Sequence, residues 1–291
     1  MIYTIPHLRT QLALETDLEV RLRDTSNARW SDAELYAALS DACLRWSGRV
    51  SIPFIYTLSG GWVEGTYEYT LPDYMGKRIQ PQRRIVHTYG VDDEESNEYV
   101  WADVLGWSIE PDSSGGHVLR LENNEGIDGA VSDARILWWG EQGPLPSTIP
   151  TVQTTINSTD TSLILSAIVN VGQSGYVYVG TEWIQYTGFS DNGTYTTLTN
   201  LVRAINNSTA ASHNSAVSVY FGVALPELRL LENLYHQAAA NAHAYGLVDV
   251  NESERTRYEW NMRYYQQLAD EFWLRWTPTV SPRMRLTRRA G

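Results

Sequence analysis

Apolar residues repeat with two different periods along this 291-residue chain, and that change of period constrains the fold more than any other feature. At both ends the spacing is three and four, the rhythm of a helix packed along one side. Ser31 with Glu34 three residues on is a capping box. Leu35, Leu39, Ala42 and Trp46 follow at spacings of four, three and four, which predicts a helix over 31–47. An earlier helix is expected from Pro6 to about Arg23 on Leu8, Leu12, Leu18 and Leu22, with Glu15 to Asp17 as its candidate break. Near the other end, Pro226 opens a helix carrying Leu228, Leu231, Tyr235, Ala238, Ala242 and Tyr245. A second starts near Asn251 and Glu254 and carries Tyr258, Met262, Tyr265, Ala269, Phe272 and Trp276. The short stretch 246–250 between them makes an antiparallel pair.

Between Ser51 and Gly140 the period drops to two. Ile52, Phe54, Tyr56 and Leu58 alternate with smaller or polar neighbours, Gly60-Gly61 supplies a turn, and Tyr67, Tyr69 and Leu71 alternate again, which reads as a hairpin. Further strands are expected at 85–89, 99–104, 117–121 and 134–139. Gly143-Pro144-Leu145-Pro146 marks a boundary. From Thr151 to Val219 the carboxylates and arginines reduce to Asp160, Glu182, Asp191 and Arg203, amid Thr, Ser and Asn and short β-rich runs at 162–168, 175–179, 182–187, 195–198 and 216–220. The expected fold is therefore α+β: an α-helical bundle built from the N- and C-terminal segments, with two inserted antiparallel β units. The expected divisions are a ring-forming bundle from 1–50 and 223–276, a β domain at 51–142, a Thr/Ser-rich β insertion at 151–222 and a basic tail at 277–291.

Nothing covalent staples such a fold, because Cys43 is the one cysteine and forms neither an internal disulfide nor a thiolate zinc cluster. No apolar run reaches the roughly 18 to 20 residues that span a bilayer, and Met1-Ile2-Tyr3-Thr4-Ile5-Pro6 lacks the character of a signal peptide, so synthesis in the cytoplasm is expected. The formal charge is -12, from 34 acidic against 22 basic residues, which argues against a surface that grips nucleic acid throughout. The tail runs opposite to that sign. Arg283, Arg285, Arg288 and Arg289 follow Pro278 without an acidic residue, and the chain without them is formally -16, with 18 basic residues against 34 acidic. Such a tail orders against an acidic cleft or phosphate, or stays a frayed, charged terminus. The 11 Trp and 18 Tyr suit either a surface that meets protein or sugar, or a core filled with large rings.

Chemistry-bearing motifs are scarce. The sequence has no GxSxG elbow, phosphate-binding GxxxxGK[ST] loop, HExxH pair or CxxC. Glu232, His236 and His243 share helical spacing that suits a metal, but as polar helix residues they need none, and Asp92-Asp93-Glu94-Glu95 reads as a solvated hairpin tip. No catalytic residue, cofactor or metal site is assigned, and the chain is expected not to be an enzyme. The alternative expectation is a carbohydrate-binding or hydrolysing virion or tail protein using the aromatic β units, since any two carboxylates can meet in a folded chain.

Several segments resemble proteins of tailed bacteriophages. Arg29-Trp30-Ser31-Asp32-Ala33-Glu34-Leu35, running into Leu39 and Ala42, is similar to the start of head-to-tail adaptor (connector) proteins, and Gly65-Thr66-Tyr67-Glu68-Tyr69-Thr70-Leu71-Pro72 resembles an element of phage neck proteins. Val179 to Gly188, Leu198 to Arg203 and Ser208 to His213 are similar to a small β module of phage virion and tail proteins, which usually has Arg-Gly where this chain has Arg203-Ala204. The resemblance implies a structural protein of the virion neck, a homo-oligomeric ring, dodecameric in that family, seated under a portal protein and above a tail or stopper protein. Genomic DNA would pass through the channel without specific binding, and no membrane is involved. Arg283, Arg285, Arg288 and Arg289 are then the expected portal-docking residues, with Trp273 and Trp276 as anchors; core packing is the other reading of Trp273. A tail or baseplate component with the same module is a further reading.

Overall fold

The computed structural model describes residues 7–26, 28–46, 49–58, 60–63, 65–72, 75, 79–89, 96–104, 106–112, 116–122, 134–248 and 250–276, with backbone alone for 82–89 and 96–102. It divides into two compact units, residues 1–52 with 141–279, and residues 53–140.

In the first unit the chain opens with a strand, β1 (His7–Thr10), followed directly by α1 (Gln11–Leu22). Thr10 is extended and its hydroxyl accepts from the Ala13 amide at 3.2 Å, so the helix starts there rather than at Pro6, and it runs unbroken to Leu22. α2 (Asp32–Leu44) forms behind the capping box, with the Glu34 amide donating to Ser31 Oγ and the Ser31 amide donating to Glu34 Oε2. α3 (Leu230–Gly246) packs against both α2 and α4 (Glu252–Arg275) and is buried over most of its circumference. Several polar side chains inside this packing are paired: Trp46 Nε1 donates to Asn233 Oδ1 at 3.0 Å, Asn241 Nδ2 to the Ala38 carbonyl at 3.0 Å, and Trp30 Nε1 to the Ala242 carbonyl at 3.0 Å, while His243 Nδ1 is buried without a partner among the described residues. The turn into α4 is tight. A methyl group on Gly246 would lie 2.4 Å from the Tyr258 ring.

The sheet content of this unit overturns the expected architecture. Strands β10 (Gly175–Val179), β11 (Glu182–Tyr186), β14 (Val202–Ile205) and β15 (Val219–Leu225) join β1 in one five-stranded sheet, ordered β1-β15-β10-β11-β14. Together with β9 (Ser162–Ile164), β12 (Phe189–Asp191) and β13 (Thr196–Thr199), which form a three-stranded sheet, the described residues make a β-rich mixed structure of four helices and four antiparallel sheets. A helical bundle with two inserted β units is not what forms. The reason is local to the N-terminus: β1 pairs antiparallel with β15, His7 opposite Leu225 and Thr10 opposite Gly222, so the Thr/Ser-rich strands share a sheet with the first described residues. Buried Gln11 reinforces the junction, its Oε1 accepting from the Phe221 amide at 3.2 Å.

The second unit holds the remaining two sheets. One is ordered β2-β8-β4-β5, from β2 (Ile52–Thr57), β4 (Ile79–Tyr89), β5 (Ser96–Asp103) and β8 (Ala134–Gly140). The other is ordered β3-β7-β6, from β3 (Glu68–Leu71), β6 (Trp107–Pro111) and β7 (His117–Leu121). The expected hairpin of Ile52–Leu58 with Tyr67–Leu71 is therefore absent, its two strands lying in different sheets. Burial of large rings accounts for the split: Phe54 stacks on Trp138 at 4.8 Å, whereas Trp62 meets Tyr69 edge-on at 5.0 Å.

Candidate functional site

The C-terminal end of α4 gathers the aromatic residues singled out from the sequence. Phe272 and Trp273 meet edge to face at 5.4 Å, Trp273 and Trp276 at 5.3 Å, and the Arg49 guanidinium lies 5.1 Å from the Trp273 ring centre. Both tryptophans are half-buried. The Trp276 indole N–H is buried without a hydrogen-bond acceptor among the described residues. Arg283, Arg285, Arg288 and Arg289 lie outside the described residues.

α4 itself is thinly covered. Of its 24 residues, Tyr258 and Ala269 are buried. Trp260 is 64% exposed and Leu274 86%, with Tyr264 exposed between them. The stripe expected to seal the seam is only partly sunk: Tyr258 and Ala269 are buried, and Met262, Tyr265, Phe272 and Trp276 are half-buried.

A second constellation, unsuspected as a group, lies where residues 179–188, 198–203 and 208–213 converge. Glu182 is fully buried, and its carboxylate accepts from Arg203 Nε and an Arg203 terminal nitrogen at 2.7 Å each, from the Ala204 and Ala211 amides at 3.1 Å each, and from His213 Nε2 at 2.8 Å. Burial opposes its charge, but the donors from Arg203, His213, Ala211 and Ala204 outweigh it and hold the carboxyl at about 2. Arg203 also donates to the Asn157 and Ala211 carbonyls at 2.7 Å each. These bonds tie β11, β14 and the loops at Asn157 and Ala211 onto one buried carboxylate, so the cluster acts as a clasp within the sheet. The signal in the sequence was charge scarcity: Glu182 and Arg203 are two of four acidic or arginine residues in nearly seventy.

The helical Glu232, His236 and His243 do not assemble into a metal site. Glu232 forms a bidentate pair with Arg21 at 2.8 and 2.9 Å, His236 lies against Tyr265, and His243 is enclosed by Trp30, Tyr258 and Tyr265 at 5.2 to 5.8 Å. Elsewhere, carboxylate oxygens of Glu15, Glu19 and Asp32 come within 4.8 Å of one another. Burial first, then Glu19 and Asp32, push the Glu15 carboxyl up to about 7, so a shared proton relieves the crowding near neutrality. Asp92 to Glu95 lie outside the described residues. Comparison with family models, with curated proteins and with solved structures returns no match.

Proposed function

We propose that this chain is a structural, non-enzymatic subunit of a tailed-phage neck: a head-to-tail connector that assembles with copies of itself as a ring under the portal, frames the DNA channel and offers the tail its platform. The observation that carries the reading is α4, a 24-residue helix with two buried residues, which ends in an aromatic cluster and leads in sequence to an arginine-rich tail. A half-covered helix is completed by another chain, and arginine forks dock into carboxylate clefts through paired, charge-assisted hydrogen bonds. The acidic remainder of the chain lets DNA pass without being gripped, since binding phosphate requires a basic surface.

The carbohydrate alternative has fewer rings to draw on than the composition suggests: Trp62, Trp138, Tyr176, Trp183 and Tyr186 of the β units are buried in cores, while Tyr67 is exposed. The test is binding of the full chain and of a chain ending at residue 276 to the portal ring of the same virion. Binding by the full chain and its loss on truncation, with an unchanged circular-dichroism spectrum, is the expected result. Equal binding by both chains rejects the docking role of the tail.

A further inference from the structure

The connector reading uses the outer side of α4 only as surface left uncovered, and the order of side chains along it carries a finer pattern. At 100° per residue, Trp260, Arg263, Tyr264, Asp270, Glu271 and Leu274 all project within about 60° of the direction of Gln267. This face is opposite the one that buries Tyr258 and Ala269 against the rest of its unit. Trp260, Arg263, Tyr264, Gln267, Asp270 and Leu274 are exposed, and the Trp260 and Tyr264 rings stack nearly parallel, 5.3 Å apart. Arg263 has no ion-pair partner among the described residues, whereas Arg255, Arg257 and Arg275 each pair with a glutamate of the same helix.

The arrangement is self-complementary. When a second copy of the helix is laid antiparallel across this face with Gln267 on the two-fold axis, Trp260 comes level with Leu274 of the other copy. On the same side of the contact, Arg263 comes within about 1.5 Å in height of Asp270, and Tyr264 within about 1.5 Å of Glu271. Each relation occurs twice, as an isologous contact requires. The free cation thus meets a carboxylate, the phenol meets an acceptor, and the two most exposed apolar side chains of α4 cover each other. We infer that the free protein pairs through this face of α4 with a second copy of itself, antiparallel about Gln267. A two-fold contact closes on itself and cannot propagate around a larger ring, so the pair is a form of the protein before assembly, and ring formation displaces it. A contact of one helical face belongs to the small, transient class below about 1,200 Å², so pairing shows at micromolar concentrations and above rather than below them.

The test uses the full chain in analytical ultracentrifugation over a concentration series reaching about 100 µM. The expected result is a monomer–dimer equilibrium. Arg263→Asp and Asp270→Arg each weaken it at least about tenfold, and the double variant, in which the pair is restored in reverse, recovers most of the loss. Gln267→Cys should cross-link into a disulfide dimer while Ser253→Cys, near the far end of the helix, does not; Cys43 is fully buried and does not compete. All four positions are exposed, so the variants fold. A monomer throughout the series, no rescue in the double variant, or equal cross-linking at 253 and 267 overturns the inference. None of these outcomes bears on portal binding, which the truncation tests separately.

Discussion

Ala204 sits beside the Glu182–Arg203 pair, and its backbone shows what that position costs a residue with a side chain. Its φ is +57°, the left-handed region that glycine enters freely and alanine does not. The strain is tolerated because the Ala204 amide must point at the Glu182 carboxylate. Ala204→Gly is therefore expected to stabilise the protein, by about 0.5–1 kcal/mol once the greater freedom of glycine in the unfolded chain is set against the relieved strain, read as a higher urea midpoint. Arg203→Met has the opposite effect. It leaves a fully buried carboxylate without its bidentate partner and should cost about 3–5 kcal/mol in the same measurement. The acid limb follows from the sign of the shift: the Glu182 carboxyl titrates below its ordinary 4.5, so its contribution is complete above that pH and disappears as pH falls toward 2.

At the scale of elements, the two helical junctions respond to pH in opposite directions. Glu15, on α1, titrates near 7 in the folded protein and near 4.5 when unfolded, so stability from this group is greatest below pH 4.5 and is lost as pH rises through 7. Glu15→Gln should flatten that decline and make the variant more stable than the parent at pH 8, as measured by thermal unfolding at a series of pH values. His243, held between α3 and α4, is pushed down to about 4 by burial, and then by Arg29 and Arg257. Its contribution is complete above 6.5 and is lost between 6.5 and 4 as the unfolded chain takes up a proton that the folded chain refuses. His243→Phe should reduce the acid-side slope over that window. Legibility in the sequence follows the same division into local and distant partners. The capping box of α2 and the Asn251 cap of α4 involve residues three apart, and both could be read directly. β1 could not, because four residues, His-Leu-Arg-Thr, carry too little alternation and their partner strand lies more than 200 residues on. The hairpin at 52–71 fails for a related reason: alternation identifies strands but not which sheet they enter, and ring packing decides that. Of the candidate site, Trp276 was visible in the apolar stripe and Trp273 as an anchor beside the tail, whereas the exposure of Trp260 was not. The clasp of Glu182, Arg203 and His213 was not, since only folding brings residues 21 to 31 apart onto one carboxylate.

For the whole molecule, the account rests on a surface left incomplete by its own fold. On the proposed reading, an acidic chain whose last described helix is half-covered and which ends in an arginine-rich tail plugs into a neighbour through that end. Such charge-guided docking weakens with salt, so portal binding should fall steadily as ionic strength rises from 50 to about 500 mM, while a contact made by apolar anchors alone would hold. The most direct measurement of the proposed connector role is negative-stain electron microscopy of the full chain mixed with the portal ring of the proposed virion. The account predicts a second ring of this protein, coaxial with the portal and seated on one end of it. Portal rings that stay bare beside a free globular protein would contradict it.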